Sequence, residues 1–151
     1  MPQLSMHTPI ADLTLTEEDG AIVALDWGWS AFQEKTDLLV EAKHQLDAYF
    51  DGELTAFDLP LNPCGTTHQK KVWALMQAIP YGSVLTYGAA AKQIGSAAQA
   101  VGTACGLNAI PVIIPCHRIV GSGGRMGGYS GEGGVYTKKA LLILEGALNP
   151  D

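Results

Sequence analysis

A proline-bearing stretch from Leu54 to Gly65, with Pro60, Pro63 and Gly65, cuts this chain where its charge changes sign. Proline and glycine at this density interrupt both helix and strand, so the segments on either side must each build their own core. Residues 1–60 hold twelve acidic side chains against two lysines, a charge of −10. Residues 61–151 hold seven basic side chains against three acidic ones, a charge of +4. We therefore expect two small domains, 1–60 and 61–151. A polyanion could meet the second, whereas the first would repel it.

The overall charge of −6 has the wrong sign for an ordinary nucleic-acid binder, so any such role must rest on the second half alone. No apolar run approaches the roughly 20 residues that span a bilayer, and Met1 to Thr16 lacks a basic region followed by an apolar one. The three cysteines, Cys64, Cys105 and Cys116, are odd in number and form no CxxC pair. That pattern argues against a disulfide framework and a cysteine-rich zinc site. The expectation is a cytoplasmic protein with free thiols, no metal and no membrane association.

In the first half, Leu13 to Thr16 and Ile22 to Trp27 are β-type segments flanking the turn Glu17-Glu18-Asp19-Gly20, which predicts a hairpin. From Thr36 to Phe50, Leu38, Leu39, Ala42, Leu46, Tyr49 and Phe50 recur at helical spacing, and Asp51-Gly52 ends the pattern. In the second half, Thr66-Thr67 is a candidate N-cap for a helix carrying Val72, Trp73, Leu75, Met76 and Ile79. Two short helices follow, Tyr87 to Ile94 and Ala97 to Cys105, joined by Gly95-Ser96 in the outline of a helix-turn-helix. The second of them has almost no side-chain bulk, so it can approach another backbone or a nucleic-acid groove closely. Trp27, Trp29 and Trp73 are expected in the core or between domains.

The apolar run Ile110 to Ile114 leads into Pro115-Cys116-His117-Arg118, and a segment with eight glycines in fourteen residues follows, from Gly121 to Gly134. A thiol beside an imidazole and a cation suits a nucleophile, while a lone cysteine is more commonly a buried structural thiol. If that stretch is extended, Cys116 and His117 point to opposite faces, and direct contact between them is awkward. A last helix is expected over Lys138 to Gly146, with Leu141, Leu142 and Leu144 inward. Glu145 at its C-terminal end opposes the helix dipole, which calls for a specific partner.

Taken together, Ile79-Pro80-Tyr81-Gly82, Asn108, Ile114-Pro115-Cys116-His117-Arg118, Tyr129-Ser130-Gly131 and Leu144-Glu145-Gly146 make the chain resemble the O6-alkylguanine-DNA alkyltransferases, the methylated-DNA-protein-cysteine methyltransferase family. The resemblance covers nearly the whole length and is most specific in the second half. It implies an α/β fold: a small sheet-plus-helix, RNase H-like N-terminal domain, then a mostly helical C-terminal domain with the helix-turn-helix. It further implies a monomer without cofactor that acts on double-stranded DNA containing O6-alkylguanine, and possible action on O4-alkylthymine.

In that family's pattern Cys116 takes the alkyl group irreversibly, once per molecule. A cysteine near its unperturbed pKa of about 8.5 is mostly protonated at neutral pH. The pattern therefore has a water link Cys116 to His117 while Glu145 holds the far imidazole nitrogen. It gives Asn108 the bracing of the cysteine segment, Tyr87 proton donation to the departing guanine, and Arg118 the holding of the site. The flipped base is received by the stretch Val120 to Ser130, including Tyr129 and Ser130. Extrusion is required, because O6 lies inside the base stack. The low-bulk helix, through Ala97, Ala98, Gln99, Gly102 and Thr103, is implied to enter the minor groove.

The chain departs from the pattern at several points. Gln99 stands where the family usually has an arginine that fills the gap left by the base, and the turn Gly95-Ser96-Ala97 is about two residues short. Ala109 replaces a common proline, His68 a common aromatic, and the Gly131 to Gly134 stretch is slightly longer. Three rival functions are weighed: a recognition protein that binds alkylated guanine without transfer, a cysteine hydrolase, and a helix-turn-helix regulator. The presence of Cys116 disfavours the first, the want of a marked oxyanion hole the second, and the bare helix the third.

Overall fold

The computed structural model describes residues 1–126 and 134–150 and divides between Cys64 and Gly65, at the far end of the proline-bearing stretch. The first unit is an antiparallel sheet in the order β1 (Gln3–His7), β2 (Asp12–Glu18), β3 (Ala21–Trp27), covered by helix α1 (Asp37–Phe50). Asp19 and Gly20 both take positive φ, 51° and 78°, as the tight β2–β3 hairpin requires. Leu4, Met6, Leu13, Leu15 and Leu25 are buried, as are Leu39, Ala42, Leu46 and Tyr49 of α1. Thr36 caps α1, its hydroxyl accepting from Leu39 N at 3.1 Å.

A second layer in this unit is polar. Ser5 and Thr14 are buried and joined through their hydroxyls at 2.8 Å. Thr14 Oγ1 also donates to Gly28 O at 2.7 Å, and the Gln33 amide donates to Ser5 Oγ at 2.6 Å. Strand β1 is an addition to the two strands expected from sequence. Trp29 also departs from expectation: it is 52% exposed and stacks on His7 with centroids 4.7 Å apart.

The second unit holds helices α2 (Thr67–Gln77), α3 (Tyr87–Ile94), α4 (Ala98–Gly106) and α5 (Val135–Leu144). Two-residue strands β4 (Leu85–Thr86) and β5 (Ile119–Val120) pair in parallel. Thr66 and Gln69 form a reciprocal capping box that starts α2. Trp73 of α2 is the largest buried side chain, and its indole donates to Ala104 O at 2.9 Å. Gly65 is needed beside it, since a Cβ there would stand 2.6 Å from the Trp73 ring. Gly95 ends α3 in the left-handed conformation, at φ 64°, which lets the chain turn directly into α4. His68 reaches that turn from α2, with Nε2 2.7 Å from Ser96 Oγ.

Helix α5 begins three residues before the expected Lys138 and ends at Leu144, so Glu145 is its C-cap. Ala97 is likewise the N-cap of α4, outside its first turn. Among the described residues no helix is long and apolar enough to cross a membrane.

Candidate active site

The stretch that carries Cys116 is a knot of tight turns. Ile110 through Ile114 are all buried, and Val112 is held at φ 72°, a conformation strained for a β-branched residue. Ile113 N donates back to Pro111 O at 2.9 Å and Ile114 N to Ile110 O at 2.9 Å. Asn108 closes the knot: its Nδ2 donates to Ile114 O at 2.8 Å while its Oδ1 accepts from Ile110 N at 3.0 Å. Strain of this kind costs on the order of 1–3 kcal/mol and persists only where surrounding bonds impose it.

The chain does not continue extended beyond Pro115. Cys116–Arg118 forms one 3-10 turn, with Arg118 N donating to Pro115 O at 3.0 Å. The expectation of opposite faces is therefore corrected: in a helical turn, successive side chains are splayed by the helical rotation and not by the alternation of a strand. Cys116 is 5% exposed and His117 fully buried.

Glu145 organises this turn from the end of α5. Its Oε2 lies 2.7 Å from His117 Nε2 and accepts from Arg118 Nη2 at 3.0 Å, while Oε1 accepts from Arg118 Nε at 2.8 Å. Arg118 Nη1 donates to Ile79 O at 2.7 Å, tying the turn to the end of α2. The bidentate arginine balances the carboxylate, a geometry that suits buried pairs. Burial holds the His117 pKa below its ordinary value against the opposing pull of Glu145, so the imidazole is neutral when unreacted. With Nε2 committed to Glu145, the second ring nitrogen, Nδ1, is buried without a hydrogen-bond partner among the described residues.

Tyr87 opens α3, next to Thr86, whose hydroxyl accepts from Ala89 N at 3.1 Å. Its phenol is pushed above its ordinary pKa by burial and then by Cys105 and Cys116. A Cβ added at Gly102 would lie 3.8 Å from the Tyr87 ring, so α4 passes Tyr87 at its least bulky point. Cys105, which follows on α4, is buried, and burial pushes its thiol up to about 12. It is the inert thiol of the pair.

Of the residues singled out by sequence, Cys116, His117, Glu145 and Asn108 converge, and Tyr87 joins them through its interaction with Cys116. Ala97, Ala98, Gln99 and Thr103 are exposed on the α4 side, with Gly102 half-buried. Arg118 is 7% exposed, with its side-chain nitrogens bonded to Glu145 and Ile79, and Val120 is 2% exposed and pairs with Thr86 of β4. Arg118 is a brace. Tyr129 and Ser130 lie outside the described residues. Lys138 joins the site unannounced: it is fully buried, with its side-chain nitrogen 5.7 Å from the centre of the Tyr87 ring. Nothing in the sequence marks it, because lysine on a helix is ordinarily a surface residue.

Two family models match the chain: the ribonuclease-like domain of 6-O-methylguanine DNA methyltransferase over residues 4–63, and its DNA binding domain over residues 67–147. A methylated-DNA–protein-cysteine methyltransferase of Mycolicibacterium paratuberculosis is 40% identical, aligned over 97% of this chain and 93% of the relative. The constitutive one of Bacillus subtilis is 39% identical over 92% of each. Among solved structures, Mycobacterium tuberculosis OGT in complex with DNA superposes with a TM-score of 0.88 at 38% identity, covering 97% of this chain and 94% of that one.

Proposed function

Because this chain belongs to the methylated-DNA–protein-cysteine methyltransferase family, whose members repair O6-methylguanine in DNA by moving the methyl group to a cysteine, we propose that Cys116 is the acceptor. The observation that carries this reading is the buried array Cys116, His117, Glu145 in one turn and one helix cap. The substrate is double-stranded DNA with the alkylated guanine turned out of the stack. The chain acts as a monomer, and each molecule acts once.

The Cys116 thiol gives its proton through a water to His117 Nδ1, and the imidazolium so formed is steadied by Glu145 at Nε2. The thiolate then attacks the alkyl carbon; a C–S bond forms, the C–O6 bond breaks, and its electron pair leaves with guanine. Tyr87 supplies a proton to the departing base, and its raised pKa keeps the phenol protonated until that moment. The product is a thioether, whose sulfur is a poor leaving group, so the transfer does not run back. Asn108 fixes the strained turn that aims Cys116. The bare face of α4, with Ala97, Ala98, Gln99, Gly102 and Thr103, lies against the minor groove. Tyr129 and Ser130 belong to the base pocket in this reading.

Intact-mass spectrometry with peptide mapping tests the assignment, after mixing with equimolar duplex DNA bearing O6-methylguanine. One methyl group on Cys116 is expected, with none on Cys116→Ser, which keeps its DNA binding. Tight, lesion-dependent binding without any adduct would make the protein a recognition module instead.

A further inference from the structure

Between the cap of α3 at Gly95 and the cap of α4 at Ala97 stands one residue, Ser96. Ala97 has no side-chain acceptor for the amides that open α4, so this helix lacks the local bond that Thr66 gives α2 and Thr86 gives α3. The outer side of the turn is open: Ser96 and Ala98 line a cleft of about 530 Å³ with Gly88, Ala89, Ala91 and Lys92. Ser96 N donates to Ala91 O at 2.8 Å, which secures the turn to α3 and not to α4. Support for α4 comes from α2. His68, half-buried in the first turn of α2, puts Nε2 2.7 Å from Ser96 Oγ. Five residues along the same helix, the Trp73 indole donates to Ala104 O at 2.9 Å. Helix α2 therefore grips α4 at two points, two residues before its start and near its end. Between them lies the exposed face of Ala97, Ala98, Gln99 and Thr103.

We propose that His68 is a positioning residue for DNA binding: through Ser96 it sets the angle at which α4 is presented to the duplex. This rests on α4 being the helix that meets the minor groove. A helix pinned at one point can swing about it, whereas one pinned at two points has a single direction. Trp73 is the buried pin, and His68 is the pin at the exposed end. In a groove entered by close approach, that direction decides the fit, because Ala97, Ala98 and Gly102 have no long side chain to make up a misfit. His68 and the turn Gly95-Ser96-Ala97 are also two of the places where the chain departs from the family pattern. The bond between them makes the two departures one device. Either neutral tautomer of His68 serves, since a serine hydroxyl both donates and accepts.

The test is single-turnover methyl transfer from duplex DNA bearing O6-methylguanine, followed over a range of DNA excess so that half-saturation and limiting rate separate. In Ser96→Ala and in His68→Phe the half-saturating concentration should rise about fivefold, the equivalent of one neutral hydrogen bond, with the limiting rate unchanged. The two substitutions together should do no more than either alone, because they remove the same bond. His68→Gln, whose amide can still meet Ser96, should recover the native affinity. Native half-saturation in Ser96→Ala would overturn the proposal, and so would additive effects in the double variant. A salt dependence that falls by about one phosphate contact in His68→Phe alone would make His68 a direct DNA contact and overturn it as well. A limiting rate that falls as far as the affinity would reduce the bond to a merely structural one, against the proposal. Ser96→Ala changes only the turn, and it carries the test if His68→Phe does not fold. Ala98→Glu separates the premise from the proposal: a carboxylate on that face should weaken duplex binding far more than either variant, and native binding would mean instead that α4 does not meet DNA.

Discussion

The two halves of this protein bury polar groups in opposite ways. The sheet unit buries Ser5, Thr14 and Thr16, neutral hydroxyls bonded to each other, to backbone and to Gln residues. The helical unit buries His117, Arg118, Lys138 and Glu145 within thirty residues of sequence. Neutral hydrogen bonds fix one arrangement of a sheet at little risk, since each contributes about 1 kcal/mol net. Buried ionisable groups are a liability to stability and are matched only by specific partners. The first half is built to hold a shape, and the second to hold a reactive state.

Breaking the charged cluster should have the largest effect. Glu145→Ala leaves Arg118 buried without its carboxylate and His117 without its anchor, and should destabilise the protein by about 3 to 5 kcal/mol. Hydrogen exchange in the full chain would show where: protection should fall over 65–150 while the strands Gln3–His7, Asp12–Glu18 and Ala21–Trp27 keep theirs. Equal loss in both halves would mean that the two units do not differ as described. Thr14→Val is the milder counterpart. It removes the hydroxyl that pairs with Ser5 and donates to Gly28 O, and should cost about 1 to 2 kcal/mol in urea unfolding, with methyl transfer untouched. Slower transfer in that variant would show that the sheet unit does more than scaffold.

Much of this was legible in the sequence because the signals were local. Thr66, Asp19-Gly20 and Gly95 are short-range signals, and each marks a boundary where it was expected. Glu145, flagged by its place at the wrong end of a helix dipole and again by the resemblance, is the group that joins His117 and Arg118. Strand β1 was missed because Leu4 and Met6 are good helix formers, and only pairing with β2 makes Gln3–His7 a strand. At Cys116–Arg118 the sequence does not distinguish a turn from an extended continuation, because the choice rests on bonds from Asn108, six residues before Ile114, and from Glu145, far along the chain. Lys138 was invisible for the same reason: burial is set by what packs against a helix, and α5 carries Lys138 and Lys139 side by side, one buried and one exposed.

The smallest expected effect lies on the outer surface of the second half, where charge is missing instead of buried. Gln99 is exposed on α4 beside Ala98 and Thr103, and its backbone carbonyl accepts the Thr103 hydroxyl at 3.1 Å, leaving its side chain toward solvent. An arginine there would add a cation to a unit whose exposed Lys70, Lys71 and Lys92 already favour a polyanion. Gln99→Arg should tighten binding to duplex DNA a few-fold at low salt. The salt dependence should steepen by about one phosphate contact if the new cation rests on the backbone. Thiolate formation at Cys116 should not move, because surface charge is screened within a Debye length of about 10 Å at 0.1 M salt. Binding that stays the same would mean that this face of α4 does not meet DNA. A faster chemical step would mean that the surface and the buried cluster are electrostatically joined, and the division between a reactive interior and a merely docking exterior would have to be redrawn.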